Sequence, residues 1–179
     1  INNSIHLQGT DPLTTIIDGQ STNDDIVTCI GTDAIIAGFT IYNCSMNHSC
    51  VLINHTASCT LHGTIIHTAG YGVTLRNAQN TSIINNTFFQ NPDTKAGYIG
   101  ITVDNCIYIT LLTNRISSGD AGILLHGTHI MISQNTITDT QRGITDAFNT
   151  LPWTIRHLTS QLNHVKYSTV GLYRHGASD

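Results

Sequence analysis

Only 10% of the 179 residues are charged, so an acid, a base and a cation recurring at related intervals stand out. Arg76, Asp104, His126 and Asp146 follow one another at separations of 28, 22 and 20 residues, and Asp120 precedes Arg142 by 22. Asp104, Asp120, His126, Arg142 and Asp146 together hold the parts for removing a proton beside a substrate carboxylate. His126 or Asp146 would be the base, and Arg142 or Arg76 the cation that neutralises the carboxylate. Acidic pairs among them could instead hold Ca²⁺, which takes several oxygen ligands. The competing and favoured reading is structural: solvated surface residues whose opposite charges stack for mutual support.

Other chemistry is less well supported. Of the ten histidines, only His126 and His129 are close together among His62, His67, His126, His129, His157, His164 and His175. The five cysteines, Cys29, Cys44, Cys50, Cys59 and Cys106, form no CxxC pair. No metal site is therefore expected. Cys44 and Cys50 bracket a short loop and could close a disulfide, although buried small hydrophobes are the favoured reading for most of the thiols. Sequons for N-glycosylation begin at Asn2, Asn43, Asn47, Asn54, Asn80 and Asn85. Their clustering in the first half hints at a glycosylating secretory route.

The elements that position these groups are legible from an internal repeat. From Val73, Leu75 lies at +2, Ile83 at +10, Asn86 at +13 and Phe88 at +15. From Ile101 the same offsets give Val103, Leu111, Asn114 and Ile116. From Val51 they give Ile53, Leu61 and Ile66, with Gly63 at +12. Ile26 opens a unit with Thr28, Ile36, Gly38 and Ile41. Ile123 opens one with Leu125 and, after a one-residue deletion, Ile132, Asn135 and Ile137. A weaker unit starts at Ile144. The spacings of 25, 22, 28, 22 and 21 residues are too short for helical repeats, and no 3.6-residue periodicity is present.

Positions 0 and +2 share one side of a strand and would bury together, while +10 and +15 sit on further strands of the same coil. Gly or Asn at +12 or +13 falls where the chain must turn, since both tolerate positive φ. Asn86, Asn114 and Asn135 would stack as a hydrogen-bonded ladder. The expected fold is all-β: a single-stranded right-handed parallel β-helix of about seven coils. Residues 1–25 would form an opening coil or cap, 26–151 the repeats, and 152–179 the last coil with a cap or fragment end. In this register the outward +3 column runs Cys29, Asn54, Arg76, Asp104, His126 and Asp146, and Asp120 and Arg142 share the column entering the strand.

The segments GVTLRNAQNTSIINNTF and GILLHGTHIMISQNTI resemble the parallel β-helix repeat family, the pectin-lyase-like superfold, in its NosD-like flavour. TTIIDGQ and IIAGFTIYNCS resemble early coils of such domains, and the likeness spans about residues 13–145. It implies fold more than activity, because the superfold carries lyases, hydrolases, epimerases, tailspikes and inert surface proteins. SGDAGILL resembles the GDDCIAI of polygalacturonase-like members, with Asp120 at the first aspartate. Ala121 replaces the second, and TQRGI stands where that family has Gly-His-Gly. This argues against hydrolysis by paired carboxylates. The NosD-like flavour is associated with copper handling, which no Met or Cys cluster here supports.

The formal charge of −4 and seven scattered basic residues leave no basic stripe for nucleic acid. No apolar run reaches the ~18 residues of a membrane span. The resulting expectation is an extracellular module on a cell or virion surface, structural or adhesive, with no cofactor. It would bind polysaccharide or surface glycan along a groove that includes Arg76, Asp104 and His126, with sister chains or a larger surface assembly as further partners. The alternative is a polysaccharide-active enzyme, a uronate lyase or epimerase with Ca²⁺ as a possible cofactor, and less readily a hydrolase.

Overall fold

The computed structural model describes residues 4–21, 23–31, 33–68, 70–90, 97–146, 159–166 and 170–173. Among these the regular elements are all strands, and no helix is long and apolar enough to cross a membrane. The chain opens with β1 (Ile5–Gln8) and β2 (Ile16–Asp18). Three coils of three short strands follow: β3 (Val27–Ile30), β4 (Ala34–Ala37) and β5 (Thr40–Cys44); β6 (Ser49–Asn54), β7 (Cys59–His62) and β8 (Ile65–Thr68); and β9 (Tyr71–Arg76), β10 (Thr81–Ile84) and β11 (Thr87–Gln90). The strands then run on through some of the corners, as β12 (Ile99–Leu112), β13 (Arg115–Ser133) and β14 (Thr136–Asp146). The last strands are β15 (Thr159–Gln161), β16 (His164–Lys166) and β17 (Val170–Tyr173).

Every strand pairing is parallel and joins one coil to the next, which builds a solenoid with three faces. β3, β6 and β9, the start of β12, the middle of β13, the end of β14 and then β17 stack as the first face. β1, β4, β7, β10, the ends of β12 and β13, and β15 make the second. β2, β5, β8 and β11, the starts of β13 and β14, and β16 make the third. Among the described residues each face is thus seven strands deep. Counting the end rungs gives seven levels, of which five have a neighbour on both sides.

The core follows from side-chain alternation. Val51, Val73, Ile101 and Ile123 form one inward column and Ile53, Leu75, Val103 and Leu125 the next, with each residue at most 1% exposed. Leu61, Ile83, Leu111 and Ile132 line the second face, and Ile66, Phe88, Ile116 and Ile137 the third. Each such side chain contributes about 1.5–3 kcal/mol by leaving water. At the first rung the Leu61 column ends in Leu7, which pairs with Ile36, and beside it Ile5 pairs with Ala34; the two are 40% and 54% exposed.

Two adjacent positions between the second and third faces divide the work of the corner. Position +12 has positive φ whichever residue holds it: Gly38 (73°), Gly63 (60°), Asn85 (54°), Thr113 (54°) and Gln134 (56°). Position +13 points inward. There Asn114 Oδ1 accepts from the main-chain N and the Nδ2 of Asn86, at 3.1 Å each, and Asn135 Oδ1 accepts from the same two atoms of Asn114 at 2.9 and 3.0 Å. Each Nδ2 also donates to a carbonyl of the preceding coil: Leu61, Ile83 and Leu111 for Asn86, Asn114 and Asn135. Thr64 begins the ladder by donating its amide and hydroxyl to Asn86 Oδ1, and Asn163 extends it below Asn135.

The register corrects two positions. Val27, not Ile26, aligns with Val51, so Cys29 aligns with the buried Ile53 and Ile30 with Asn54. Asp146 aligns with Leu125 rather than His126, and its side chain lies outside the described residues. The one-residue difference between the coils of Asp104 and His126 is placed at Asn105. This residue has φ 51° and sits where the register slips between Asp104 and Cys106.

Candidate functional groove

Outward side chains of the first face form two columns. Leu52, Thr74, Thr102 and Leu124 make one, and Asn54, Arg76, Asp104 and His126 the other. Successive strands are ~4.8 Å apart, so one residue per coil makes a dense row. Arg76 Nε lies 3.8 Å from Asp104 Oδ2, and His126 Nδ1 lies 2.9 Å from Asp104 Oδ1. Asp104 is thus held between a cation on the preceding coil and an imidazole on the following one.

A groove of about 550 Å³ lies over these columns. Leu52, Thr74, Thr102 and Leu124 line it along the solenoid axis, across the strands, with Arg76 and Asp104 on one side and Tyr71, Ile99, His48 and Asp25 towards the other. Asp25 Oδ1 accepts from the Ser49 amide at 2.6 Å, and the hydroxyls of Ser49 and Thr74 are 2.8 Å apart. The Thr102 hydroxyl is buried with no hydrogen-bond partner among the described residues.

The five residues expected to share a catalytic centre do not converge. Asp104 and His126 meet at the end of the first-face strand. Asp120 stands six residues earlier on β13, ~20 Å along an extended strand, where its Oδ1 accepts from Gln141 Nε2 at 3.3 Å. Arg142 aligns with Ala121 and is exposed, so it enters neither the Asp120 column nor the groove. Of the residues expected to contact glycan, Arg76 and Asp104 line the groove and His126 buttresses Asp104.

Asp24, Asp25 and His48 bring one ligand atom each within 4.8 Å of one another. The repeat spacing was the signal that could have paired Asp25 with His48, since they lie 23 residues apart on adjacent coils. Two carboxylates and an imidazole are too few oxygens for Ca²⁺, which takes six to eight, and Asp25 Oδ1 already accepts the Ser49 amide. This set therefore does not fit that ion.

All five cysteines are thiols. No disulfide joins Cys44 to Cys50: the Cys44 thiol donates to the His48 carbonyl at 2.9 Å, and that of Cys50 to the His67 carbonyl at 3.6 Å. Among the sequon asparagines, Asn47, Asn80 and Asn85 are exposed. Asn43 and Asn54 are half-buried, and Asn43 Nδ2 donates to Asp18 at 2.8 Å. Asn2 lies outside the described residues.

The family model for a right-handed beta helix region matches residues 25–179. No curated protein and no solved structure matches the chain. The matched span covers most of the sequence and agrees with a solenoid of parallel strands alone, so the chain belongs to the right-handed β-helix family.

Proposed function

We propose that this protein is a structural or adhesive module, displayed outside the cell or on a virion, that binds glycan in the first-face groove. The observation that carries this is the groove itself. It combines apolar Leu52, Leu124, Ile99 and Tyr71 with the hydroxyl and charged groups of Thr74, Thr102, Arg76 and Asp104. Such a lining, in which polar side chains outnumber apolar ones, suits the mixed polar and apolar surface of a sugar. Its charge favours a neutral glycan, because Arg76 is matched by Asp104 and faces Asp25 as well. An acidic polymer would find no spare cation there.

A second reading, lyase or epimerase action on uronate, is favoured only by the Asp104–His126 pair, a carboxylate orienting an imidazole. Titrating neutral and uronate polysaccharides in a calorimeter, while following ultraviolet absorbance for unsaturated products, separates the two. Binding of a neutral polymer without turnover, weakened at least tenfold by Asp104→Ala, is expected. Turnover of a uronate polymer that disappears in His126→Ala would replace the adhesive reading with the enzymatic one. Absence of binding across the panel would remove glycan recognition altogether.

A further inference from the structure

Asn80 opens the sequon Asn80-Thr81-Ser82 and stands at the corner between the first and second faces, immediately before β10. The parallel register runs through this corner. Gln79 bridges Ile107, the Asn80 amide donates to the Ile107 carbonyl at 3.2 Å, and Ser82 pairs with Thr110. Asn80 is therefore level with Tyr108 of the next coil. Tyr108 is in turn level with His129, because Ile107 pairs with Thr128 and Ile109 with Ile130. All three take the left-handed backbone, with φ of 44°, 57° and 54°, and successive members of the row are ~4.8 Å apart.

Asn80 is exposed, and Tyr108 is 53% exposed although it carries a large ring. That ring packs on His129 at a centroid distance of 4.8 Å and an interplanar angle of 45°, which braces it from one side. Its other neighbour in the row is Asn80, whose side chain is too short to cover it. Asn80 Nδ2 donates to the Ala57 carbonyl of the preceding coil at 3.3 Å, and Ala57 is itself exposed and adds only a methyl group there. Other sequon asparagines have different neighbours: the next coil places Thr113 beside Asn85 and Arg76 beside Asn54.

We propose that Asn80 is a glycosylation site whose first sugar is seated on Tyr108 of the next coil. In the transfer, the C1–O bond between an N-acetylglucosamine and its lipid pyrophosphate carrier breaks, and C1 bonds to Asn80 Nδ2. The pyrophosphate leaves with the bonding electrons, and one amide proton is lost. The remaining Nδ2–H keeps its bond to Ala57, so the sugar departs on the side away from Ala57, towards the following coil. One face of a β-linked sugar of this kind carries only axial C–H groups. That apolar face suits the ring of Tyr108, while the hydroxyls and the acetamido group stay in water. The inference rests on the secretory route in the proposed function and is independent of what the groove binds.

The test secretes the full chain from a glycosylating host behind a heterologous signal sequence and trims the glycans to one sugar with an endoglycosidase. The comparison is Ser82→Ala, which loses the sequon but keeps Asn80 and Tyr108; the same pair made without glycan gives the baseline. Peptide mass spectrometry should find the sugar on Asn80. Beyond the baseline, the thermal midpoint should exceed that of Ser82→Ala by roughly 2–4 °C, the size of one modest contact in a chain of this length. That gap should vanish when both chains carry Tyr108→Ser. The ring current of Tyr108 should also move sugar protons, assigned by their absence from Ser82→Ala, upfield in the NMR spectrum, a readout that needs no substitution at Tyr108. An unmodified Asn80 on the secreted, folded chain overturns the site. Unshifted sugar protons, or a thermal gap that survives Tyr108→Ser, overturn the seat. Neither readout involves the groove, so a failure of glycan recognition there is scored separately, by calorimetry.

Discussion

Truncating Asn114 to Ala tests whether the inner ladder or the aliphatic columns hold the coils in register. The Asn114 side chain accepts two hydrogen bonds from Asn86 and donates two, to the Ile83 carbonyl and to Asn135 Oδ1. Asn114 and Asn86 are at most 1% exposed, so water cannot replace these partners. In the variant the Asn86 main-chain N–H loses its acceptor, at about 1–3 kcal/mol for a buried orphan. The Nδ2 of Asn86 keeps Leu61, and Asn135 Oδ1 keeps the Asn114 amide, so those losses are partial. With the small void added, the total is about 3–5 kcal/mol, a large share of the ~5–15 kcal/mol that stabilises a typical domain. Asn85→Ala is the control. Asn85 is exposed with φ 54°, and Ala there costs only about 1–2 kcal/mol of left-handed strain. Urea unfolding followed by circular dichroism gives the global loss, and hydrogen exchange at the Asn86 amide gives the local one. If Asn114→Ala matches Asn85→Ala in stability and leaves Asn86 protection unchanged, the ladder is incidental and this reasoning fails.

Three further outcomes are expected. Tyr98 is fully buried and its hydroxyl has no partner among the described residues, so Tyr98→Phe should leave the thermal midpoint unchanged or raise stability by up to about 1 kcal/mol; a clear loss would reveal an unrecognised bond. Burial pushes the Cys106 thiol up to about 11 from an ordinary value of 9.0. The folded state then holds that proton more tightly than the unfolded state, so its stability contribution is intact below about pH 9 and is lost as pH rises towards about 11. Urea midpoints measured across that window should fall more steeply for the parent than for Cys106→Ser, and parallel curves would contradict the assignment. Expression in a glycosylating host, followed by peptide mass spectrometry, should show glycan on Asn47, Asn80 or Asn85 in preference to Asn43 and Asn54, whose amides are less accessible; the reverse order would contradict the burial argument.

Much of the fold was legible because burial is written locally. Val73 with Leu75, or Ile101 with Val103, declares an inward pair on a strand regardless of what lies above it, since alternation is a property of a single chain. Asn at +13 and Gly at +12 were likewise visible, though only the coordinates separated their roles. Whoever sits at +12 takes the left-handed backbone, and the Asn beside it turns inward to bond its neighbours.

The outward columns were less legible, because they depend on how many residues each corner spends. A solenoid tolerates an added corner residue, as at Asn105, since lengthening a loop costs little. Yet that one residue changes which side chains of successive coils are aligned, from an offset of 22 at Asp104 and His126 to 21 for the residues that follow. That is why Asp146 aligns with Leu125 and why Arg142 and Asp120 part company. Closeness in sequence also pointed to a Cys44–Cys50 bridge, but their thiols donate instead to the His48 and His67 carbonyls. The sequence by itself determined a stacked parallel ribbon, through strand-scale alternation and a repeat of near-constant length. Which polar groups face one another was decided only by the tertiary structure, because those contacts cross from coil to coil and follow the summed lengths of the corners between them.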